Sequence, residues 1–162
     1  MNILNFALPP TTLRVERSTS DEVNARIERA TIERIARAIE GGPSSIARRL
    51  EELDAEWDIE RMLETNASIV SLIGLGLGTF VSPKWFKLPM VVAGFLLQHA
   101  VQGWCPPVPV LRRLGFRSEH EIDLERTALR IARGDFRESP SEPLAAFMLA
   151  KGSDRGPIFG TS

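Results

Sequence analysis

The chain has 162 residues, of which 43% are hydrophobic and 25% are charged, and its formal net charge is -1 with a pI near 6.2. The absence of a basic excess does not favour a nucleic-acid partner, and a single cysteine excludes an intrachain disulfide framework. The charge is unevenly distributed, because Lys84 and Lys87 are the only formal charges between residues 65 and 111. A soluble globular domain would be expected to spread its charge more evenly.

The first region, residues 1–17, contains Pro9 and Pro10 and shows no sustained periodicity. We therefore predict a mobile N-terminal arm. The region also lacks the basic start and apolar core of a signal peptide, so export is not expected.

Two amphipathic helices are predicted over residues 18–56. A capping box from Thr19 to Glu22 is expected to begin the first helix, which ends at Gly41. The second helix is predicted to begin near Ser44, and its other face carries many carboxylates that would repel anionic lipid headgroups. We therefore expect the two helices to pack on each other or on a cytoplasmic protein partner. The apolar side of the second helix is formed by Ile46, Leu50, Leu53 and Trp57.

Two uncharged apolar runs follow, at residues 67–82 and 88–105. Pro83 ends the first run, Pro89 lies in the first turn of the second, and Pro106 stops the second run. Two runs of similar length that are joined by a short turn predict an antiparallel helical hairpin.

The length of these runs decides between a membrane and a protein interior. At 1.5 Å per residue they span roughly 24 Å and 27 Å, against about 30 Å of hydrocarbon in a bilayer. Extension of the first helix back through Met62 and Leu63, or local thinning of the bilayer, would make up the difference. We therefore predict an all-α fold, with a transmembrane helical hairpin flanked by amphipathic cytoplasmic helices. The alternative is a buried hairpin at the centre of a soluble helical bundle.

Small and polar residues predict how the two helices meet. Gly74 and Gly78 have a GxxxG spacing that lets helix backbones approach closely. An antiparallel turn centred near Trp85 would place Ser71 near His99, so we expect a hydrogen bond between the helices or between subunits. The alternative for His99 is a proton or metal site, since ionisable groups inside membranes are often functional. The predicted helix-packing residues are Ser71, Gly74, Gly78, Gly94, Gln98, His99 and Gln102.

The cations predict the orientation of the hairpin. Seven arginines flank it and two lysines lie in its turn, so both termini are expected in the cytoplasm. Trp85 and Trp104 are predicted to anchor opposite interfaces, with Arg112 and Arg113 at the cytoplasmic exit. The flanking cations are Arg48, Arg49, Arg61, Arg112, Arg113, Arg117 and Arg126.

The region after the hairpin contains one further predicted helix. Residues 108–111 are expected to lie along the surface. Ser118 and Glu121 form a capping box that begins a helix, and Gly134 ends it. Residues 137–162 are predicted to form a loosely ordered tail.

Three segments carry a family resemblance: GLGLG at residues 74–78, GWCPPVPVLRRLGF at 103–116 and EIDLERTALRIARGDF at 121–136. Together they resemble the small two-helix transmembrane domain of the YgaP-like inner-membrane family of bacteria, over residues 57–136. The resemblance implies an inner-membrane hairpin that associates as a dimer. Such a domain also occurs joined to a rhodanese sulfurtransferase, but the Cys-Arg-x-Gly-x-Arg type of loop is absent here, so that activity is not implied.

The favoured function is a noncatalytic membrane anchor or assembly module in the bacterial inner membrane. Its expected partners are the lipid bilayer, a second copy of the chain and an unidentified cytoplasmic protein, and no cofactor, metal or catalytic residue is expected. The alternative is redox or sulfur chemistry at Cys105, where Arg112 and Arg113 would favour the thiolate. No resolving cysteine accompanies Cys105, and His99 and His120 lack the spacing of a zinc site.

Overall fold

The computed structural model describes residues 11–136, and within that range every regular element is a helix, which confirms the predicted all-α class. The predictions for residues 1–10 and for the tail at 137–162 concern residues outside the described range. In chain order the elements are a 3-10 helix (Thr11–Leu13), α1 (Arg14–Arg17), α2 (Asp21–Glu40), α3 (Gly42–Ala55), α4 (Ile59–Phe80), a second 3-10 helix (Pro83–Phe86), α5 (Lys87–Gln102), α6 (Val108–Leu114) and α7 (Glu119–Arg133).

Residues 11–17 form a 3-10 helix and α1, and α1 packs on the core through Val15, so this part of the predicted mobile arm is ordered. Val15 in α1 is 1% exposed and joins a core cluster with Ile59, Leu63, Cys105 and Val108. One buried valine in a short helix produces no periodicity, which explains why the sequence pattern did not reveal it.

The start of α2 differs from the prediction. Its N-cap is Ser20, which makes no side-chain capping bond, so the predicted box from Thr19 to Glu22 is wrong. The Thr19 hydroxyl instead donates to the carbonyl oxygen of Val15 at 2.7 Å and accepts from Nε of Arg112 at 3.1 Å. A local bond to Val15 and a long-range bond from Arg112 therefore take the place of the predicted cap.

The second amphipathic helix, α3, begins at Gly42 and ends at Ala55. Trp57 therefore lies outside the helix whose apolar face it was predicted to extend. Its ring is 44% exposed, and the guanidinium carbon of Arg61 lies 5.5 Å from the ring centroid, within the range of a cation–π contact.

Helices α2, α3 and α7 pack together into a bundle. The capping box that begins α7 is confirmed: the Ser118 hydroxyl accepts from the Glu121 N–H at 3.3 Å, and the Glu121 carboxylate accepts from the Ser118 N–H at 2.9 Å. Gly134 ends α7 with a φ of 91°, a left-handed conformation that glycine adopts without strain. The apolar core of the bundle is Ala38, Ile46, Leu53, Ile122 and Leu129, with Ile35 and Leu50 packed against it.

Helices α4 and α5 form an antiparallel pair closed by the second 3-10 helix. Asp58 caps α4 by accepting the Arg61 N–H at 2.6 Å, so α4 begins before Met62, as the length argument required. At 1.5 Å per residue, the 22 residues of α4 span about 33 Å and the 16 residues of α5 about 24 Å.

Residues 108–111, which were predicted to lie along the surface, belong to the short helix α6, and only Pro109 and Val110 among them are exposed. Val108 is fully buried against the N-terminal cluster, and Arg112 is fully buried beside α7. Proline is tolerated in the first turn of a helix, so Pro109 is compatible with α6. Helix α6 connects the base of the hairpin to the bundle.

Candidate functional site: an apolar hairpin on an ionic bundle

The hairpin exposes a large apolar surface. Among its most exposed side chains are Phe80 at 88%, Met90 at 73%, and Leu72 and Leu97 at 68% each. A contiguous apolar patch of this kind marks a surface that meets lipid or another protein. The other exposed large apolar residues of α4, the turn and α5 are Ile69, Val70, Ile73, Leu75, Val81, Trp85, Phe86, Val91, Phe95 and Val101.

One helical stretch in the described part of the chain is long and apolar enough to cross a membrane, and it ends at Phe80. Only 17% of its apolar window is buried, whereas the core helix of a soluble bundle would be mostly buried. Helix α5 has 16 residues, so it is too short to count as a second stretch of this kind. A single spanning candidate is therefore established, and the second span of the predicted hairpin is a proposal.

Gly74 lies where α4 contacts the start of α5, and Gly78 lies where α4 contacts the second 3-10 helix. A Cβ atom on Gly74 would come within 2.7 Å of Pro89 Cδ, and one on Gly78 within 2.7 Å of the Phe86 ring. The two glycines therefore allow one chain to close its own hairpin. Gly94 differs, since a Cβ atom there would meet nothing within 4 Å.

The register of the hairpin separates Ser71 from His99, so the predicted hydrogen bond between them is wrong. Gly74 lies opposite Pro89. In an antiparallel pair, a step toward the C-terminus of α5 corresponds to a step toward the N-terminus of α4. His99 therefore lies opposite the region of Glu64 and not opposite Ser71. Glu64 and Arg14 are the charged side chains that act on His99. The close approach at the glycines sets this register, and the predicted turn centre near Trp85 did not account for it.

The remaining predicted packing residues are dispersed. Gln98 is half-buried, and Gln102 is exposed at the end of α5, where its backbone carbonyl accepts the Ser18 hydroxyl at 3.1 Å. The structure therefore does not bring these residues together as one polar contact.

The two interface tryptophans lie at opposite ends of the hairpin. Trp85 is 44% exposed in the turn between the two lysines, and Trp104 is 38% exposed just after α5. Arg113 is exposed near the base. Arg112, in contrast, is 0% exposed, so its predicted role as an interface anchor is wrong.

Arg112 instead joins α6 to the bundle through a bidentate ion pair. Its two terminal nitrogens donate to the Glu121 carboxylate at 2.5 Å and 2.8 Å. Further bonds run to the Asn24 side-chain oxygen at 2.8 Å and to the Phe116 carbonyl at 3.1 Å. Burial of this guanidinium is tolerated because its donors are satisfied.

A second buried ion pair lies between Arg117 and Glu125, which are 2% and 0% exposed. Nη1 of Arg117 donates to Glu125 at 2.5 Å, and Nε of Arg49 donates to the same carboxylate at 2.7 Å. Arg117 also holds both oxygens of Glu56, at 2.8 Å and 2.7 Å. Burial alone would raise the pKa of Glu125, but the bonds from Arg49 and the charge of Arg117 hold the pKa below its ordinary value of 4.5.

Sequence reasoning did not find these ion pairs, which we call the ionic cluster: Arg34, Arg49, Glu56, Arg112, Arg117, Glu121 and Glu125. One signal was present. Glu125 lies between Ile122 and Leu129 at helical spacing, on the side of α7 that is buried in the bundle. A carboxylate within an apolar stripe requires a buried cation as partner.

Cys105 is 3% exposed and is surrounded by apolar side chains, including Val15 and Val108. This burial raises the pKa of the Cys105 thiol, so the predicted thiolate is disfavoured. Arg112, one of the cations expected to stabilise a thiolate, is paired with Glu121 instead. Among residues 11–136, no group of three or more His, Cys, Asp or Glu side chains is placed to hold a metal ion.

A groove of about 370 Å³ lies between α2 and α7. Its walls combine isoleucines from α2 with Leu124 and His120 from α7, and its carboxylates include members of the ionic cluster. Glu121 and Glu125 are already engaged by arginines, so they are not free to bind a cationic ligand. The exposed lining of the groove is mainly apolar.

The chain was also compared with known proteins, and no family model, curated protein or solved structure matches it. The exposed hairpin, the charge distribution and the packing of the bundle are therefore the features that indicate a function.

Proposed function

We propose that the protein is an integral membrane protein whose α4–α5 hairpin lies in the bilayer and whose α2–α3–α7 bundle serves as a noncatalytic anchor or assembly module. The observation that carries this proposal is the exposed apolar surface of the hairpin, on which Phe80 is 88% and Met90 is 73% exposed. In water such a surface would drive aggregation, whereas hydrocarbon covers it without cost.

The dimensions support a bilayer position. The uncharged part of α4, residues 65–80, spans about 24 Å, and the 16 residues of α5 span a similar length, so both are slightly shorter than the hydrocarbon thickness of about 30 Å. The bilayer would therefore thin locally around the hairpin, or the chain near Trp104 would lie within the headgroup region. Interfacial tryptophans at both ends of the hairpin are consistent with this depth.

The orientation that we propose places both termini in the cytoplasm. The positive-inside rule counts lysine and arginine near the membrane ends, and these residues are concentrated at the base of the hairpin. Arg61 and Arg113 are exposed near the base and Arg48 is exposed on α3, whereas Arg112 and Arg117 are buried in ion pairs. The resemblance of residues 57–136 to the YgaP-like domain supports a bacterial inner membrane.

Self-association of the hairpin is part of the proposal, but its contact surface differs from the predicted one. Gly74 faces α5 and Gly78 faces Phe86 of the second 3-10 helix within one chain, so they are not available to a second copy. Gly94 lies on an exposed face of α5 together with Leu97 and Val101. A homodimer would therefore use this face, and the bundle would remain available to a cytoplasmic protein.

Cysteine labelling tests the proposed orientation. In a Cys105→Ser background, we expect Ser82→Cys at the tip to react with a membrane-impermeant maleimide applied to cells with a permeabilised outer membrane. The matched control is Ser44→Cys, at an exposed position of the bundle, and it should react only after the inner membrane is opened. Labelling of Ser44→Cys but not Ser82→Cys from outside would overturn the orientation, and equal labelling of both in a soluble fraction would overturn the membrane position.

A further inference from the structure

Helix α1 packs against the base of the hairpin. Nη2 of Arg14 lies 3.7 Å from the Glu60 carboxylate at the start of α4. Gly103, just after α5, packs on the backbone of Arg14 so closely that a Cβ atom would lie 2.4 Å from the Arg14 carbonyl oxygen. Gly103 also has a φ of +75°, so both its conformation and its contact require glycine. This contact fits α1 closely against the end of α5.

His99 lies in the last turn of α5 and is 7% exposed. Neither of its ring nitrogens has a hydrogen-bond partner among the described residues. Native proteins seldom leave buried polar groups in this state, and the exceptions are often functional.

The groups that face His99 come from each element at this junction. Arg14 on α1 disfavours a charged ring, whereas the backbone of Gly103 and the charge of Glu64 on α4 favour it. Glu60 on α4 faces Arg14, and its other neighbours are Asp58 and the backbone of Glu119 on α7. Glu64 is exposed, so water screens its charge, whereas the Arg14 side chain is 22% exposed.

The neutral form of His99 fits this environment and the protonated form does not. A protonated imidazole would bury a second cation beside Arg14, and the backbone of Gly103 and the exposed Glu64 offset this cost only in part. Burial of an uncompensated charge is disfavoured, so protonation would favour any conformation in which the ring reaches water. Movement of α1 away from the hairpin would provide that access and would separate Arg14 from the ring.

We propose that His99 is a pH-sensitive latch, whose protonation releases α1 from the base of the hairpin. Neutral His99 permits the closed junction, and uptake of one proton from the aqueous side opens it. Opening also uncovers Cys105, because Val15 of α1 packs in the same cluster. The latch would be a property of the folded chain in detergent or membrane, and it does not depend on which way the hairpin is oriented.

The accessibility of Cys105 measures the opening directly. The purified full chain would be treated with 4,4′-dithiodipyridine at several pH values from 8 to 5, and the rate of reaction of Cys105 would be measured. Each rate would be divided by the rate for the same protein unfolded at the same pH. This ratio cancels the change in thiol ionisation with pH. Because protonation is excluded from the closed state, the relative rate should rise by up to about tenfold for each pH unit below about 6.5.

Three variants make this measurement decisive. The chain has two histidines, so His120→Asn is the matched control and should keep the rise. His99→Asn and His99→Leu should abolish the rise, and circular dichroism at pH 8 checks that each variant is folded. A rise that persists in either folded His99 variant, or a relative rate in the wild type that does not change between pH 8 and pH 5, would overturn the latch.

Discussion

Replacement of Glu125 by glutamine is expected to destabilise the bundle by about 3–5 kcal/mol, because it leaves buried arginines without their countercharge. Glu125 is 0% exposed and accepts bonds from Arg117, Arg49 and Arg34. The glutamine side chain has nearly the same shape as that of glutamate, so the loss of stability would come from the missing charge and not from a cavity. The measurement is the free energy of unfolding of the purified protein at pH 7, followed by circular dichroism in denaturant.

A control on the same helix separates this effect from a general loss of charge. Asp123 is 54% exposed and pairs with Arg126, so Asp123→Asn should cost less than about 1 kcal/mol. Equal losses in the two variants would show that Glu125 is not an essential partner of the ionic cluster.

The same ion pairs predict how stability changes with pH. The pKa of Glu125 in the folded protein is below its ordinary value of 4.5, so its stabilisation is fully present above about pH 4.5. The stabilisation is lost as pH falls through the lower pKa of the folded state. Wild-type protein should therefore lose stability at acidic pH more steeply than Glu125→Gln, which no longer has the carboxylate.

Substitution of Gly74 by alanine is expected to destabilise the hairpin by about 1–3 kcal/mol, because the added Cβ overlaps Pro89. The Cβ would lie 2.7 Å from Pro89 Cδ and 3.2 Å from Leu88 Cβ. A proline ring at the start of a helix cannot move away as a flexible side chain would. The unfolding midpoint in detergent measures the loss.

Two further variants identify the cause. Gly76→Ala adds the same methyl group to α4 at a position where nothing lies within 4 Å, so it should be neutral or stabilising by about 0.5–1 kcal/mol. Gly74→Ala combined with Pro89→Ala removes the clashing Cδ atom, so the two changes should be less than additive. Strict additivity, or a loss in Gly76→Ala as large as in Gly74→Ala, would contradict the close contact.

The sequence predicted the elements whose ends are set by local chemistry. Prolines bound both apolar runs, and α4 and α5 end within a few residues of the predicted positions. The box formed by Ser118 and Glu121 began α7 as expected because both bonds are local. Such features depend on neighbouring residues alone, so they can be recognised without knowledge of the fold.

The features that the sequence did not predict depend on contacts between distant residues. Thr19 resembles a helix cap, yet it bonds with Arg112, which lies far away in the chain. Arg112 was counted as a membrane-surface cation because its partner Glu121 could not be identified before the fold was known. The pairing of Ser71 with His99 failed for a similar reason, since the register follows from the contact of Gly74 with Pro89.

Extraction of membranes from cells that express the chain tests the membrane position of the hairpin most directly. Bilayer insertion predicts that the chain sediments with membranes, stays in the pellet after washing with carbonate at alkaline pH or with high salt, and enters solution only with detergent. Recovery of a monodisperse chain in the aqueous supernatant without detergent would contradict the account, because the exposed apolar surface around Phe80 and Met90 would then have to be covered by protein.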